Sequence, residues 1–229
     1  MVQVNPTKLF VRFRFKKQGS LQYISHLDLV RTMHKVIVRA KLPLWYTEGF
    51  NPKPKMIFAA PLSIGTESVC EFMDLRMNEY IDPSEAMARI NANMTDEMQI
   101  VEAYYPESKF TDLKWMSYRM TIRTLDLTDE LVEKCNLVLS APSVEVQKKN
   151  SDKTTDIRPL IKSASAVKDG DVMVINTVLS ADPSAFLNPE YVIKALRDNA
   201  GILSASDLTK ESYEIMRLNA YFEDMSEFR

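Results

Sequence analysis

The chain has 229 residues, 45% hydrophobic and 26% charged, which are ordinary values for a folded globular protein and exclude wholesale disorder. Its two cysteines, Cys70 and Cys135, exclude a disulfide framework, a four-cysteine zinc site and an iron–sulfur cluster held by three or four thiolates. No segment approaches 18 uninterrupted apolar residues, and residues 1–6 lack the basic start and apolar core of a signal peptide. We therefore expect a cytoplasmic protein without a membrane span.

The net charge of −2 conceals a division along the chain. Residues 1–65 contain 11 Lys and Arg against only Asp28 and Glu48, a balance of +9, whereas the remaining residues have a balance of −11. A basic segment of this kind is typical of a surface that binds a polyanion such as RNA. Cations on an ordinary solvated surface would give the same count.

The first predicted strand covers residues 9–16, where side chains alternate between two faces. One face is apolar, and the other carries Phe10, Arg12, Arg14 and Lys16. The alternation predicts a half-buried strand with an open basic face.

The first predicted helix begins after Ser25, an N-cap residue with Asp28 three positions on, and ends at Pro43. Spacings of three and four predict a stripe that packs on a sheet and a basic row away from it. The predicted stripe is Leu27, Val30, Met33, Ile37 and Ala40, and the row is Arg31, Lys35 and Arg39.

The next segment, residues 49–55, contains one glycine and two prolines and is predicted to be a stiff loop rather than a strand. Strands are expected at 56–62 and 69–77, a helix capped by Asp82 up to about residue 94, and a strand at 98–104. The order strand, helix, strand, strand, helix, strand is the split βαβ arrangement of ferredoxin-like domains.

The pattern begins again after a junction near residues 106–114. We therefore predict an α+β protein of two ferredoxin-like units in tandem, with domains at 1–108 and 109–229 and an extra hairpin in the second unit. The expected elements are strands or extended segments at 118–124, 144–149, 158–167, 172–179 and 213–223, a polar stretch at 150–155, and helices at 129–139 and 189–199 capped by Thr128 and Asn188.

The basic segment supplies the predicted nucleic-acid-binding residues. Prolines would hold Lys53 and Lys55 in an extended presentation, and Tyr46 and Phe50 are either stacking surfaces for bases or core residues. The predicted cations are Arg12, Arg14, Lys16, Lys17, Arg31, Lys35, Arg39, Lys53 and Lys55.

Only two histidines are present, His26 and His34, and their spacing of eight residues on one helix does not favour a shared metal. His26 is either a general base or a surface neighbour of the helix cap. No glycine-rich nucleotide loop or nucleophile-elbow motif occurs. We expect no cofactor and no metal.

Residues 9–68 resemble the opening of the bacterial radical SAM-linked protein family, a domain of unknown function. The resemblance is carried by Tyr23-Ile24-Ser25-His26-Leu27-Asp28-Leu29, by residues 49–55 and by Pro61-Leu62-Ser63-Ile64-Gly65. Lys53 stands where the family usually shows His, and Ser63 where it usually shows Pro. The resemblance implies association with a radical SAM enzyme and, through ribonuclease E/G-type proteins, with RNA.

The leading hypothesis is a non-catalytic module that binds RNA or presents a substrate beside a radical SAM enzyme. One alternative is a metal-independent RNA-processing endonuclease with His26 as its general base. Another is a protein-interaction adaptor whose acidic remainder docks on a basic partner.

Overall fold

The computed structural model describes residues 9–147, 154–205 and 209–229. These residues form two compact units, the first ending at Asp112 and also including Arg229, the second spanning Leu113–Phe228. The boundary predicted from the sequence, between residues 108 and 109, lies shortly before this division. The expectations for residues 1–6, for the last two residues of the extended segment at 144–149 and for most of the polar stretch at 150–155 lie outside the described residues. No helix in the described ranges is long and apolar enough to cross a membrane.

The first unit has the ferredoxin-like order of elements. Its four strands form an antiparallel sheet in the order β4-β1-β3-β2. The Ser25 and Asp82 side chains accept backbone N–H bonds at the starts of the two helices, as their sequence contexts predict. The elements are β1 Phe10–Lys17, α1 His26–Arg39, β2 Met56–Phe58, β3 Thr66–Arg76, α2 Pro83–Asn91 and β4 Ile100–Tyr104.

The second unit repeats this arrangement with the sheet order β10-β5-β9-β8. A separate two-stranded hairpin, β6 with β7, is inserted between α3 and β8. The tandem ferredoxin-like α+β architecture is therefore confirmed. The elements are β5 Trp115–Arg123, α3 Asp129–Ser140, β6 Glu145–Gln147, β7 Thr154–Asp156, β8 Ile161–Asp169, β9 Val172–Ser180, α4 Glu190–Ala200 and β10 Ser212–Tyr221.

The core of the first unit lies between one face of its sheet and the two helices. Val11 and Phe13 of β1 and Met73 and Leu75 of β3 pack there with residues of α1 and α2, so this is the helix face of the sheet. The predicted stripe of α1 is wrong at Leu27, which is 56% exposed. Leu29 and Val36, on the opposite side of the helix from Leu27, are buried instead, together with Met33 and Ile37.

The other face of the first sheet is not the open basic surface that the alternation in β1 predicts. Arg12 is fully buried, and its guanidinium donates to both carboxylate oxygens of Asp74 at 2.8 and 2.9 Å. It also donates to the hydroxyl and carbonyl oxygens of Ser108, and Phe110 covers it with the ring centroid 4.3 Å away. The expectation is corrected at Arg12 because residues 108–110 fold over this part of the sheet.

Lys17 is also withdrawn from solvent, at 2% exposure. Its amine donates to the carbonyl oxygens of Leu21 and Gln22 at 3.2 and 3.3 Å, and so holds the short 3-10 turn Gly19–Tyr23. Arg14 and Lys16 are partly exposed. Arg12 and Lys17, two of the predicted RNA-binding cations, are therefore engaged inside the fold.

We expect Asp74→Ala to destabilise the protein by about 3 to 5 kcal/mol, because the substitution leaves a buried guanidinium without its carboxylate. The matched control is Asp171→Ala, which removes the partner of Arg123 in a 2.7 Å ion pair whose side chains are both exposed. Urea denaturation should show a large loss for the first variant and no measurable change for the second. Equal losses would mean that Asp74 is not the main support of Arg12.

Candidate nucleic-acid interface

Residues 44–55, between α1 and β2, form a hairpin that we call the basic hairpin. The Thr47 N–H donates to the Lys53 carbonyl at 2.9 Å, and the Lys55 N–H donates to the Trp45 carbonyl at 3.0 Å. Tyr46 and Pro54 face each other between these two bonds. Residues 49–55 contain no strand, as the glycine and prolines predict, and Pro54 occupies a position of the antiparallel pair where no N–H is needed.

The turn of the basic hairpin exposes an aromatic side chain completely. Phe50 is fully solvent-exposed, directly after Gly49, whose φ of +123° is unfavourable for other residues. Tyr46 is 42% exposed, so neither aromatic is a core residue. The first of the two interpretations, an available stacking surface, is the one that the exposure favours for Phe50.

One face of the basic hairpin carries two lysines and an indole ring, and Arg76 of β3 stacks on that ring. Lys53 and Lys55 are exposed and lie on the same side, opposite the buried Pro54. Trp45 pairs with Lys55 across the hairpin, and the guanidinium carbon of Arg76 lies 4.3 Å from an indole ring centroid of Trp45. The Arg76 N–H donates to the Lys55 carbonyl at 3.1 Å, which fixes the two side by side. We call Trp45, Lys53, Lys55 and Arg76 the hairpin face.

The sequence did not single out Trp45 or Arg76. The available signal for Trp45 was its position beside Tyr46 and before the two lysines. Arg76 lies 21 residues beyond Lys55, at the end of β3, and only the pairing of β2 with β3 brings the two together. The register of β2 against β3 cannot be deduced from a single sequence.

The predicted basic row of α1 lies on the other side of the sheet from the hairpin face. Arg31, Lys35 and Arg39 are exposed on the outer side of the helix, whose buried side packs on the helix face. Arg76 alternates with the core residue Leu75 and so belongs to the opposite face. The structure therefore separates the predicted cations into two surfaces.

His26 is exposed at the first turn of α1, and its ring packs edge-on against Phe58 with centroids 5.5 Å apart. His34 is half-buried on the same helix, and its Nε2 atom is buried without a hydrogen-bond partner in the described structure. Within residues 9–147, 154–205 and 209–229, no three His, Cys, Asp or Glu side chains are placed to hold a metal ion.

Burial changes the pKa values of two groups that lie beside Arg12 in the first sheet. Burial raises the pKa of Asp74, although the Arg12 guanidinium has the opposite effect, and burial raises the pKa of Tyr104 to about 12. Asp74 lies beside Arg12 and Tyr104 lies on its other side in the sheet. Asp74 is thus engaged inside the unit, and the exposed charged side chains of the basic hairpin are Glu48, Lys53 and Lys55.

Comparison with solved structures supports the fold. The chain is similar to a chain of the crystal structure of a Cbf5-Nop10-Gar1 complex, with 9% identity and a TM-score of 0.51 over 94% of this chain and 50% of that one. It also aligns with a chain of the archaeal box H/ACA sRNP Nop10-Cbf5 complex, with 8% identity and a TM-score of 0.46 over 93% and 48%. The protein spans about half the length of these chains. At 9% identity, the likeness to the first of these chains shows the fold alone.

The search of curated proteins found no match. The model of a family described as uncharacterized protein conserved in bacteria (DUF2344) matches residues 11–189. This match supports the bacterial family of unknown function expected from residues 9–68, and it makes no statement about radical SAM enzymes. Because the matched region is well over half of the chain, the protein belongs to the bacterial DUF2344 family.

Proposed function

We propose that this protein is a non-catalytic RNA-binding module that contacts RNA through the hairpin face and the side chain of Phe50. The observation that carries the proposal is the fully exposed Phe50 next to the exposed pair Lys53 and Lys55. Aromatic stacking surfaces beside cations are what proteins use to hold unpaired bases and their phosphates.

The geometry suits a single strand. Lys53 and Lys55 are two residues apart in an extended arm, which places them about 7 Å apart on one side. The hairpin hydrogen bonds hold the arm in this form, so little conformational entropy is lost when phosphates bind. Phe50 is a rigid side chain to which a base of any identity can stack.

The charge of the segment supports a polyanion as the ligand. Residues 1–65 have a balance of +9, and Arg12 and Lys17 are among the cations of this segment that are engaged inside the fold. The exposed Lys53 and Lys55 of the hairpin face belong to this segment and suit steering and phosphate contacts.

The partner in this proposal is a radical SAM enzyme, to which the module would present the bound RNA. Its support is the resemblance of residues 9–68 to the radical SAM-linked family. The RNA contact proposed for the basic hairpin does not depend on that partner.

The salt dependence of RNA affinity tests the hairpin face. For an unstructured oligouridylate of about 20 nucleotides, Lys53→Ala/Lys55→Ala should make the slope of log affinity against log salt less steep by about 1.4, or about 0.7 for each lost phosphate contact. Phe50→Ala should weaken binding by about 1 to 3 kcal/mol with an unchanged slope, since stacking involves no ion release.

The matched control is Lys35→Ala/Arg39→Ala, which removes two exposed charges from the outer side of α1. Under the proposal this variant keeps most of the affinity and the slope of the unmodified protein. If it loses as much as the hairpin variant, the contact surface is not the hairpin face, and if the unmodified protein does not bind at low salt, RNA is not the ligand.

A separate experiment distinguishes the module from an endonuclease. We expect His26→Ala to fold normally and to retain RNA affinity within about threefold, because His26 packs on Phe58 beside the helix cap and belongs neither to the hairpin face nor to the turn at Phe50. RNA incubated with the unmodified protein in EDTA should remain intact on a gel. Cleavage that falls by about a hundredfold or more in His26→Ala would establish a general base and replace the module by an enzyme.

A further inference from the structure

The second unit carries a groove on the face of its sheet that points away from the helices. Tyr118 and Met120 of β5 are buried on the helix side, so Ser117 and Arg119 point to the other face. The groove has a volume of about 260 Å³. Its lining includes Ser117, Ser163, Ser165, Asn176, Val178 and Leu218.

The shape of the groove follows from strand register and side-chain size. Ser117, Val178 and Ser163 lie side by side across three strands, and Arg119, Asn176 and Ser165 form the next row. The register shifts at Ile161/Ser163 on β8 and at Arg217/Asn219 on β10, which bends the strands on either side. Three serines in these rows leave a depression between larger neighbours.

The chemistry of the groove is neutral and rich in hydrogen-bonding groups. The serine hydroxyls both donate and accept, and the Asn176 amide presents a donor and an acceptor in one plane. Each of the residues that line the groove is uncharged. A small neutral ligand part with several polar atoms, such as a ribose or a base edge, matches this lining better than a phosphate does.

Cations flank the groove on the same face. Arg119 lies in the row of Asn176, and its side chain is half-exposed. Its Nη2 atom is 3.9 Å from Asp169 Oδ2, which is too far for a hydrogen bond. On the side of Ser117, the exposed Lys162 amine lies 5.1 Å from the ring centroid of Trp115. The neutral groove thus lies between two cations and next to an indole ring.

We propose that this groove binds the nucleoside part of one nucleotide in single-stranded RNA, with Arg119 and Lys162 at its two neighbouring phosphates. This inference rests on the proposed RNA-binding function and adds a second contact in the second unit. The hydroxyls suit the ribose 2′-hydroxyl, the group by which a protein distinguishes RNA from DNA.

The first experiment does not require RNA binding by the basic hairpin. The chain has two tryptophans, so Trp45→Phe leaves Trp115 as the sole indole reporter. Titration with each of the four ribonucleoside 5′-monophosphates should change the Trp115 fluorescence with a Kd on the order of 1 mM, and inorganic phosphate should not. Ser163→Val/Asn176→Leu added to this protein should abolish the change. The absence of a fluorescence change with every nucleotide up to about 10 mM would overturn the inference, whether or not the basic hairpin binds RNA.

The second experiment uses oligouridylate and its deoxy counterpart with the full chain. Ser163→Val/Asn176→Leu should weaken RNA binding about tenfold without changing the salt slope, and should reduce the preference for RNA over DNA. The control is Thr121→Val, on the same strand and face as Ser117 but outside the groove. An unchanged RNA affinity in the groove variant, with a weakened hairpin variant, would refute the groove and leave the proposed function standing.

Discussion

The buried ion pair between Arg12 and Asp74 withdraws one cation of the basic amino-terminal segment from the protein surface. The Arg12 guanidinium donates its hydrogen bonds to a carboxylate and a serine inside the fold, and an aromatic ring covers it, so a ligand cannot reach it. Such a pair contributes little net stability relative to apolar residues, yet it is costly to break. It therefore removes Arg12 from the cations that can reach a ligand, whereas Lys53 and Lys55 are exposed on the hairpin face.

The structural features that the sequence predicts correctly are those that depend on a local signal. Ser25, Asp82 and Thr128 cap their helices as predicted, since a cap depends on residues within one turn. The order of strands and helices likewise followed from periodicity. The burial of Arg12 could not be predicted, because it depends on a carboxylate 62 residues away and on a serine 96 residues away. Alternation identifies the face of a strand but not what covers that face.

The candidate site shows the same limit. Lys53, Lys55 and Phe50 were recognisable from their prolines and their neighbours in sequence. Trp45 and Arg76 become part of the site only through strand pairing, and the groove beside Ser117 depends on two register shifts on separate strands. Each of the two units thus offers different chemistry on its sheet: charged and aromatic groups at the hairpin face, and neutral hydroxyl and amide groups flanked by charges at the groove.

The prolines of the basic hairpin have a consequence for self-association. Pro52 and Pro54 lack an N–H, and lysines follow both of them along the same arm. An extended arm with these residues cannot template the addition of a further strand, and the positive charges repel a second copy of the same arm. The hairpin can therefore extend an exposed aromatic ring into solvent without becoming a nucleus for aggregation.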